Sequence, residues 1–156
     1  MLASCSDSTS YQAAALQASD SGDQKTAINL AKKEVERFSD KCSLGTRAEC
    51  GTLALAYGAL AGYQILNRER AAGEGSFIQA KGALSLTDPA IKASATGIVY
   101  RDVSEAFWKA GDQARAIAVF KEGLGAGGDE YLYMSSAARA AEQQPTDRQS
   151  TNDRRE

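Results

Sequence analysis

Residues 98–124 read Ile98-Val99-Tyr100-Arg101-Asp102-Val103-Ser104-Glu105-Ala106-Phe107-Trp108-Lys109-Ala110-Gly111-Asp112-Gln113-Ala114-Arg115-Ala116-Ile117-Ala118-Val119-Phe120-Lys121-Glu122-Gly123-Leu124. A helix that starts upstream runs to about Ala110. Gly111-Asp112 then makes a tight turn, because glycine and a short acid punctuate a helical pattern there. Gln113 to Glu122 is amphipathic again through Ala116, Ile117, Val119 and Phe120, spaced for one face of a second helix. The stretch is therefore a helical hairpin.

Residues 9–34 repeat the pattern more weakly, since Tyr11, Ala15, Gly22, Ala27 and Ala31 keep the same spacing. Tyr11–Ser19 is helical in composition, Gly22-Asp23 interrupts it, and Gln24–Phe38 resumes with Ala27, Ile28, Ala31 and Val35 on one side. Between the two hairpins, Ser39–Gly45 is expected to end one helix and about Thr46–Arg70 to form a long one. The centre of that helix, Leu53 to Ala61, is apolar nearly all round, which predicts a core position. Gly73 and Gly75 are expected to break the pattern before a shorter helix from Ser76 to about Leu86. Thr87-Asp88-Pro89 supplies a helix start, with Asp88 capping and Pro89 at the first helical position. Gly123–Gly128 is expected to be a loop, with Asp129 capping a last helix to about Gln144. Residues 145–156 have no apolar side chain to bury and are expected to be disordered. The expectation is an all-α chain of about seven helices: a tether at 1–10, a helical domain at 11–144 and a polar tail at 145–156.

The strong hairpin resembles a tetratricopeptide repeat. Tyr100 matches its aromatic opening position, Val103-Ser104 its Leu-Gly pair and Phe107 its next aromatic, and Gly111, Ala116 and Phe120 fall on its turn glycine, small residue and packing aromatic. Ala80-Lys81-Gly82-Ala83-Leu84-Ser85-Leu86-Thr87-Asp88-Pro89 is similar to the family's closing segment with one residue added. The resemblance implies a short solenoid of stacked antiparallel hairpins that binds a protein or peptide in a groove. Positions matching the groove-lining helices are Arg101, Glu105, Trp108 and Lys109 in the strong unit, and Gln12, Leu16 and Ser19 in the weak one. Trp108 has a second reading, packing against the next helix. The two turn glycines lie 89 residues apart, not a multiple of the family's 34-residue period, so the middle unit is expected to be enlarged or irregular.

Composition narrows the function classes. The 156 residues contain no histidine, which removes histidine-dependent triads and the commonest metal ligand. A net charge of −2 offers no long-range attraction for phosphate backbones, so no nucleic-acid partner is expected. No cofactor or metal and no catalytic residue is expected either. Glu34 with Glu36, and Asp129 with Glu130, read as solvated helix acids. Gly123–Gly128 lacks the lysine of a phosphate-binding loop and precedes two acids.

Met1-Leu2-Ala3-Ser4-Cys5 resembles a bacterial lipobox, which implies lipidation at Cys5 and an outer-membrane tether on the periplasmic side; an accidental match would leave a cytoplasmic protein. Cys42 and Cys50 flank the turn between two helices. They form a bridge in an oxidising compartment or two buried thiols in a reducing one. The expected function is thus a protein-interaction adaptor of an envelope assembly such as a secretion, pilus or cell-wall complex. The alternatives are a cytosolic chaperone or scaffold of the same fold, and a small-ligand carrier.

Overall fold

A computed structural model of the chain describes residues 10–45 and 47–143. Among the described residues there is no strand. In chain order the elements are α1 (Tyr11–Asp20), α2 (Gln24–Ser43), α3 (Arg47–Leu66), α4 (Arg70–Ser85), α5 (Pro89–Lys109), α6 (Gln113–Gly125), a 3-10 turn (Glu130–Met134) and α7 (Ser136–Gln143). They form three antiparallel hairpins, α1/α2, α3/α4 and α5/α6, with α3 packed against α2, α4 and α5, and α7 against the last pair. The chain is all-α and solenoid-like, as expected. The tether, Cys5 and the polar tail lie outside the described residues, apart from Ser10.

The same backbone turn closes all three hairpins. In the first, the Gly22 N–H donates to the Ser19 carbonyl (2.9 Å) and the Asp23 N–H to Ala18 (2.9 Å). Gly111 and Asp112 repeat this with Trp108 (3.0 Å) and Phe107 (2.9 Å), and Arg68 and Glu69 with Ile65 (3.0 Å) and Gln64 (2.8 Å). The central residue is left-handed each time, at φ 87° for Gly22, 65° for Arg68 and 88° for Gly111. This arrangement satisfies carbonyls that a helix end would otherwise leave bare. Asp23 and Asp112 then cap the following helices by accepting from the N–H groups of Thr26 (3.0 Å) and Arg115 (3.0 Å).

Aligning the chain on these three left-handed residues brings out a third copy of the repeat. Eleven residues before them stand Tyr11, Tyr57 and Tyr100; seven before, Ala15, Ala61 and Ser104; five after, Ala27, Gly73 and Ala116; nine after, Ala31, Phe77 and Phe120. The residues at the last three positions are buried in every copy. The 89 residues between the two turn glycines thus hold two enlarged spacings with a turn between them, where one enlarged or irregular middle unit was expected. Arg68 lies 46 residues after Gly22 and 43 before Gly111, so both spacings are longer than 34 residues.

Several expected boundaries move for related reasons. Gly73 and Gly75 do not break a helix, and α4 starts at Arg70 and runs through both. A Cβ on Gly73 would lie 2.6 Å from Cγ1 of Ile65 and 3.1 Å from the Ala61 carbonyl oxygen, so the bare backbone is what lets α4 cross α3 closely. Helix α2 continues past Phe38 to Ser43, and α6 runs through Gly123 to Gly125. Asp129 caps as expected, accepting from the Tyr131 N–H (3.1 Å), but it starts the 3-10 turn, and α7 begins separately at Ser136. Asp88 caps α5 through the Ala90 N–H (2.9 Å) with Pro89 in the first turn.

The core runs along the hairpins through Phe77, Val99, Val103, Phe107, Val119 and Leu132, all fully buried. Phe77 meets Tyr100 edge to face, with ring centroids 5.1 Å apart. Loss of either phenylalanine side chain should cost about 3–5 kcal/mol. Ser104 is buried where α5 meets α6 and donates to the Ala116 carbonyl (2.9 Å), so its polarity is satisfied. Cys42 and Cys50 are within disulfide-bonding distance, with Cα atoms 4.6 Å apart. Closing so short a loop contributes about 2–3 kcal/mol.

Neighbouring hairpins are joined differently on their two sides. Helices α3 and α5 approach closely because α3 presents Gly58 to Val99 and Gly62 to Ala106. On the other side, Arg70–Asp112, Glu74–Arg115 and Lys81–Glu122 ion pairs reach from α4 to α6 and its cap. The first hairpin meets the second through α2, which packs on α3, while α1 has only ten residues, leans mainly on α2 and barely touches α3. The result is an opening between α1 and α5 with α3 beneath it.

A candidate binding cleft over the third helix

That opening is a cleft of about 530 Å³. Its floor is α3, through Ala59, Gly62, Tyr63 and Leu66. One wall is α1, through Gln12, Ala13, Leu16, Ser19 and Asp20. The other is α5, through Ile98, Arg101, Asp102, Glu105, Ala106 and Lys109, which follow one another at three- and four-residue steps or as neighbours on one helix face.

Six of the seven residues expected to line a groove thus meet at one cleft: Gln12, Leu16 and Ser19 from α1, and Arg101, Glu105 and Lys109 from α5. Trp108 is not among them. It falls off the face that carries 98, 101, 102, 105, 106 and 109, and packs half-buried against the core. Its packing reading is the one realised here.

Hydrogen bonding divides these residues into groups with a structural partner and groups without. Both carboxylate oxygens of Glu105 accept from Ser136, from its N–H at 2.9 Å and its hydroxyl at 3.1 Å, which ties α5 to the start of α7. Ser19 donates its hydroxyl to Oε1 of Gln24 (3.0 Å) across the first turn. Arg101 pairs with its neighbour Asp102, with Nε at 2.8 Å and Nη2 at 2.7 Å from Oδ1. Asp20 and Lys109 have no ion-pair partner within 4 Å among the described residues. Leu16 is 55% exposed, an apolar side chain standing on the cleft wall.

Two further groups shape the floor. Burial holds the Asp102 carboxyl above the usual aspartate range, an effect that Arg101 opposes and the Glu105 charge reinforces. Burial also pushes the Tyr63 phenol up to about 12, with the carboxylates of Asp102 and Asp20 adding to it. Tyr63 therefore stays protonated at neutral pH. Among the described residues no group of three or more metal-ligating side chains converges.

Sequence reasoning missed Asp102, Tyr63 and Glu34. Asp102 was readable, since it continues the stripe that Arg101 and Glu105 define. Glu34 was not: it was expected to be a solvated acid beside Glu36, yet only 5% of it is exposed. Glu36 is exposed as expected, because it points away from the α1–α3 side of α2. Tyr131 and Tyr133 stay partly exposed at the far end, with Tyr133 edge-on to Phe120 at 5.7 Å.

Comparison with known proteins found no matching family model and no significant match among curated proteins or solved structures.

Proposed function

We propose that this chain is a protein-interaction module of tetratricopeptide-like type, and that its cleft takes a peptide segment of a partner protein. The observation that carries the reading is the cleft itself. It opens to solvent between α1 and α5, has small and apolar side chains on its floor, and carries the exposed Asp20 and Lys109 on its walls, while Glu105 and Arg101 are engaged within the fold. Such a surface suits a chain segment better than a reaction, because its ionisable groups pair with one another or stand apart instead of converging on one point. The repeated small and aromatic positions support the tetratricopeptide likeness, although their spacing is longer than the family's. We further propose that the full-length protein is lipidated at Cys5 and serves an envelope assembly on the periplasmic side. The LASC segment supports this, as does the bonding distance of Cys42 and Cys50, which suits an oxidising compartment. Among the described residues no helix is long and apolar enough to cross a membrane, so the attachment in this reading is the lipid.

Selection from a random peptide library on the purified chain tests the cleft. Enriched peptides should bind at least tenfold more weakly to the Leu16→Glu variant, because a charge replaces an exposed wall residue without touching the core. Peptides that bind the variant and the parent equally, or a library that yields none, would overturn the reading.

A further inference from the structure

We propose that the chain carries a second docking site, separate from the cleft, which takes an acidic segment of a partner protein: a carboxylate side chain beside an aliphatic one. A cavity of about 470 Å³ opens between the loop that joins α2 to α3 and the loop that joins α4 to α5. It shares no lining residue with the cleft. Cys42 and Cys50, at disulfide-bonding distance, form one side of it, and the Asp88 N–H donates to the Arg47 carbonyl (3.3 Å), which ties the two loops together. The walls are thus held in place.

The charges on those walls have one sign. Among the described residues Arg47 and Lys92 line the cavity and no carboxylate does. Both cations are exposed, and neither has an ion-pair partner within 4 Å among the described residues. The hydroxyls beside them are spent within the fold: Ser43 donates to the Asp40 carbonyl (2.8 Å), Ser85 to Gly82 (2.6 Å) and Thr87 to Ala83 (3.0 Å). The donors left for a ligand are therefore a guanidinium and an ammonium, which suit the two oxygens of a carboxylate. The apolar half of the surface adjoins them. Leu86 lines the cavity and is 59% exposed, and Leu44, between the lining residues Ser43 and Gly45, is 84% exposed. Exposed leucines are ordinary one at a time, but two that flank a cavity with two unpaired cations make a mixed surface that an acidic and aliphatic segment complements. An anionic membrane is the poorer match. At this end Asp40, Glu49 and Asp88 balance Lys41, Arg47 and Lys92, so there is no net positive field to draw a lipid surface, and the cations face a concavity that a flat bilayer does not enter.

The test uses a terminally blocked leucine–glutamate–leucine tripeptide as the probe and the same peptide with glutamine in place of glutamate as its uncharged control. Binding is read on the amide signals of Gly45, Leu86 and Lys92 in the nitrogen-15-labelled chain. The glutamate peptide should shift them saturably, and the glutamine peptide should bind about tenfold more weakly. Arg47→Gln combined with Lys92→Gln, two exposed positions, should remove the difference between the peptides. Equal binding of both peptides by the parent chain would overturn the site, and so would an undiminished preference for glutamate in the double variant. Leu16→Glu, in the cleft, should bind the glutamate peptide as the parent does; a loss there would place the peptide in the cleft and overturn the second site. Binding of the chain to phosphatidylglycerol vesicles with no response to the glutamate peptide would give this surface to a membrane and overturn the proposal as well. A failure of the library selection at the cleft leaves these outcomes unchanged, because the two surfaces have no residue in common.

Discussion

Arg68 holds a left-handed backbone at a turn where its two counterparts are glycine. An L-residue pays about 1–2 kcal/mol for that conformation, whereas glycine costs the unfolded chain roughly 0.5–1 kcal/mol of extra freedom. Arg68→Gly should therefore stabilise the protein by up to about 1 kcal/mol, seen as a higher urea midpoint; an unchanged or lower midpoint would refute the strain argument. The same residue explains why one of the three repeats escaped a reading of the sequence. Gly22-Asp23-Gln24 and Gly111-Asp112-Gln113 announce their turns, but Arg68-Glu69-Arg70 carries the same backbone with none of the usual signals. Glycine is a preference at such a position, not a requirement. Offsets measured from it, with tyrosine eleven before and a small residue five after, were the legible trace.

At the scale of the element, α4 shows how packing overrides propensity. Glycine is the poorer helix former by about 1 kcal/mol against alanine, which is why Gly73 and Gly75 looked like breakers. In the fold they differ completely: a Cβ on Gly75 meets nothing within 4 Å, while one on Gly73 runs into Ile65 and the α3 backbone. Gly75→Ala should raise stability by roughly 0.5–1 kcal/mol. Gly73→Ala should lower it by about 1–3 kcal/mol, since overpacking a close crossing outweighs the propensity gain. Thermal or urea unfolding of the two variants checks this, and a shift of the same sign in both would show that α3 and α4 have slack at their crossing. Helices α1 and α5 were legible to within a residue or two because their turns are local, whereas the long helix read from Thr46 ran past the unmarked turn at Arg68 that ends α3 at Leu66. The true start of α4 and the continuation of α6 through Gly123 were not legible, because they depend on what the neighbouring helix offers.

In the whole molecule, the three hairpins hold together by a glycine-lined approach of α3 to α5 and by ion pairs between α4 and α6. Arg115 donates to both oxygens of Glu74 (2.9 and 2.8 Å), and this holds the Glu74 carboxyl below the usual glutamate range. The folded pKa lies under the unfolded one, so the stabilisation is complete above the ordinary value of 4.5 and is lost as pH falls through the folded value. Asp102 has the opposite sign. Burial raises its folded pKa, so its ionisation penalises the fold as pH rises through that value, and the penalty is absent well below 3.8. Both partners of the Glu74–Arg115 pair keep about 30% of their side chains exposed, and solvent screens the pair accordingly. Arg115→Leu should cost about 1 kcal/mol or less at pH 7, with the difference from the parent shrinking as pH is lowered to about 3. Urea unfolding at both pH values measures this; a difference that does not change with pH would mean that the pair contributes no charge-dependent stability.

The amino-acid sequence alone determined that this chain is helical, where two of its hairpins turn and which stripe of α5 faces outward, because these follow from short-range periodicity and from glycine, proline and capping residues. Only the tertiary structure decided that Gln12, Leu16 and Ser19 share a cleft with Arg101, Glu105 and Lys109, that Trp108 belongs to the packing, and that Glu34 is buried with no hydrogen-bond donor on its Oε2. Those outcomes depend on how closely α3 meets α5 and how little of α3 the short α1 covers. Distances between helices far apart in the chain are set by side chains at their crossings, and no local pattern encodes them.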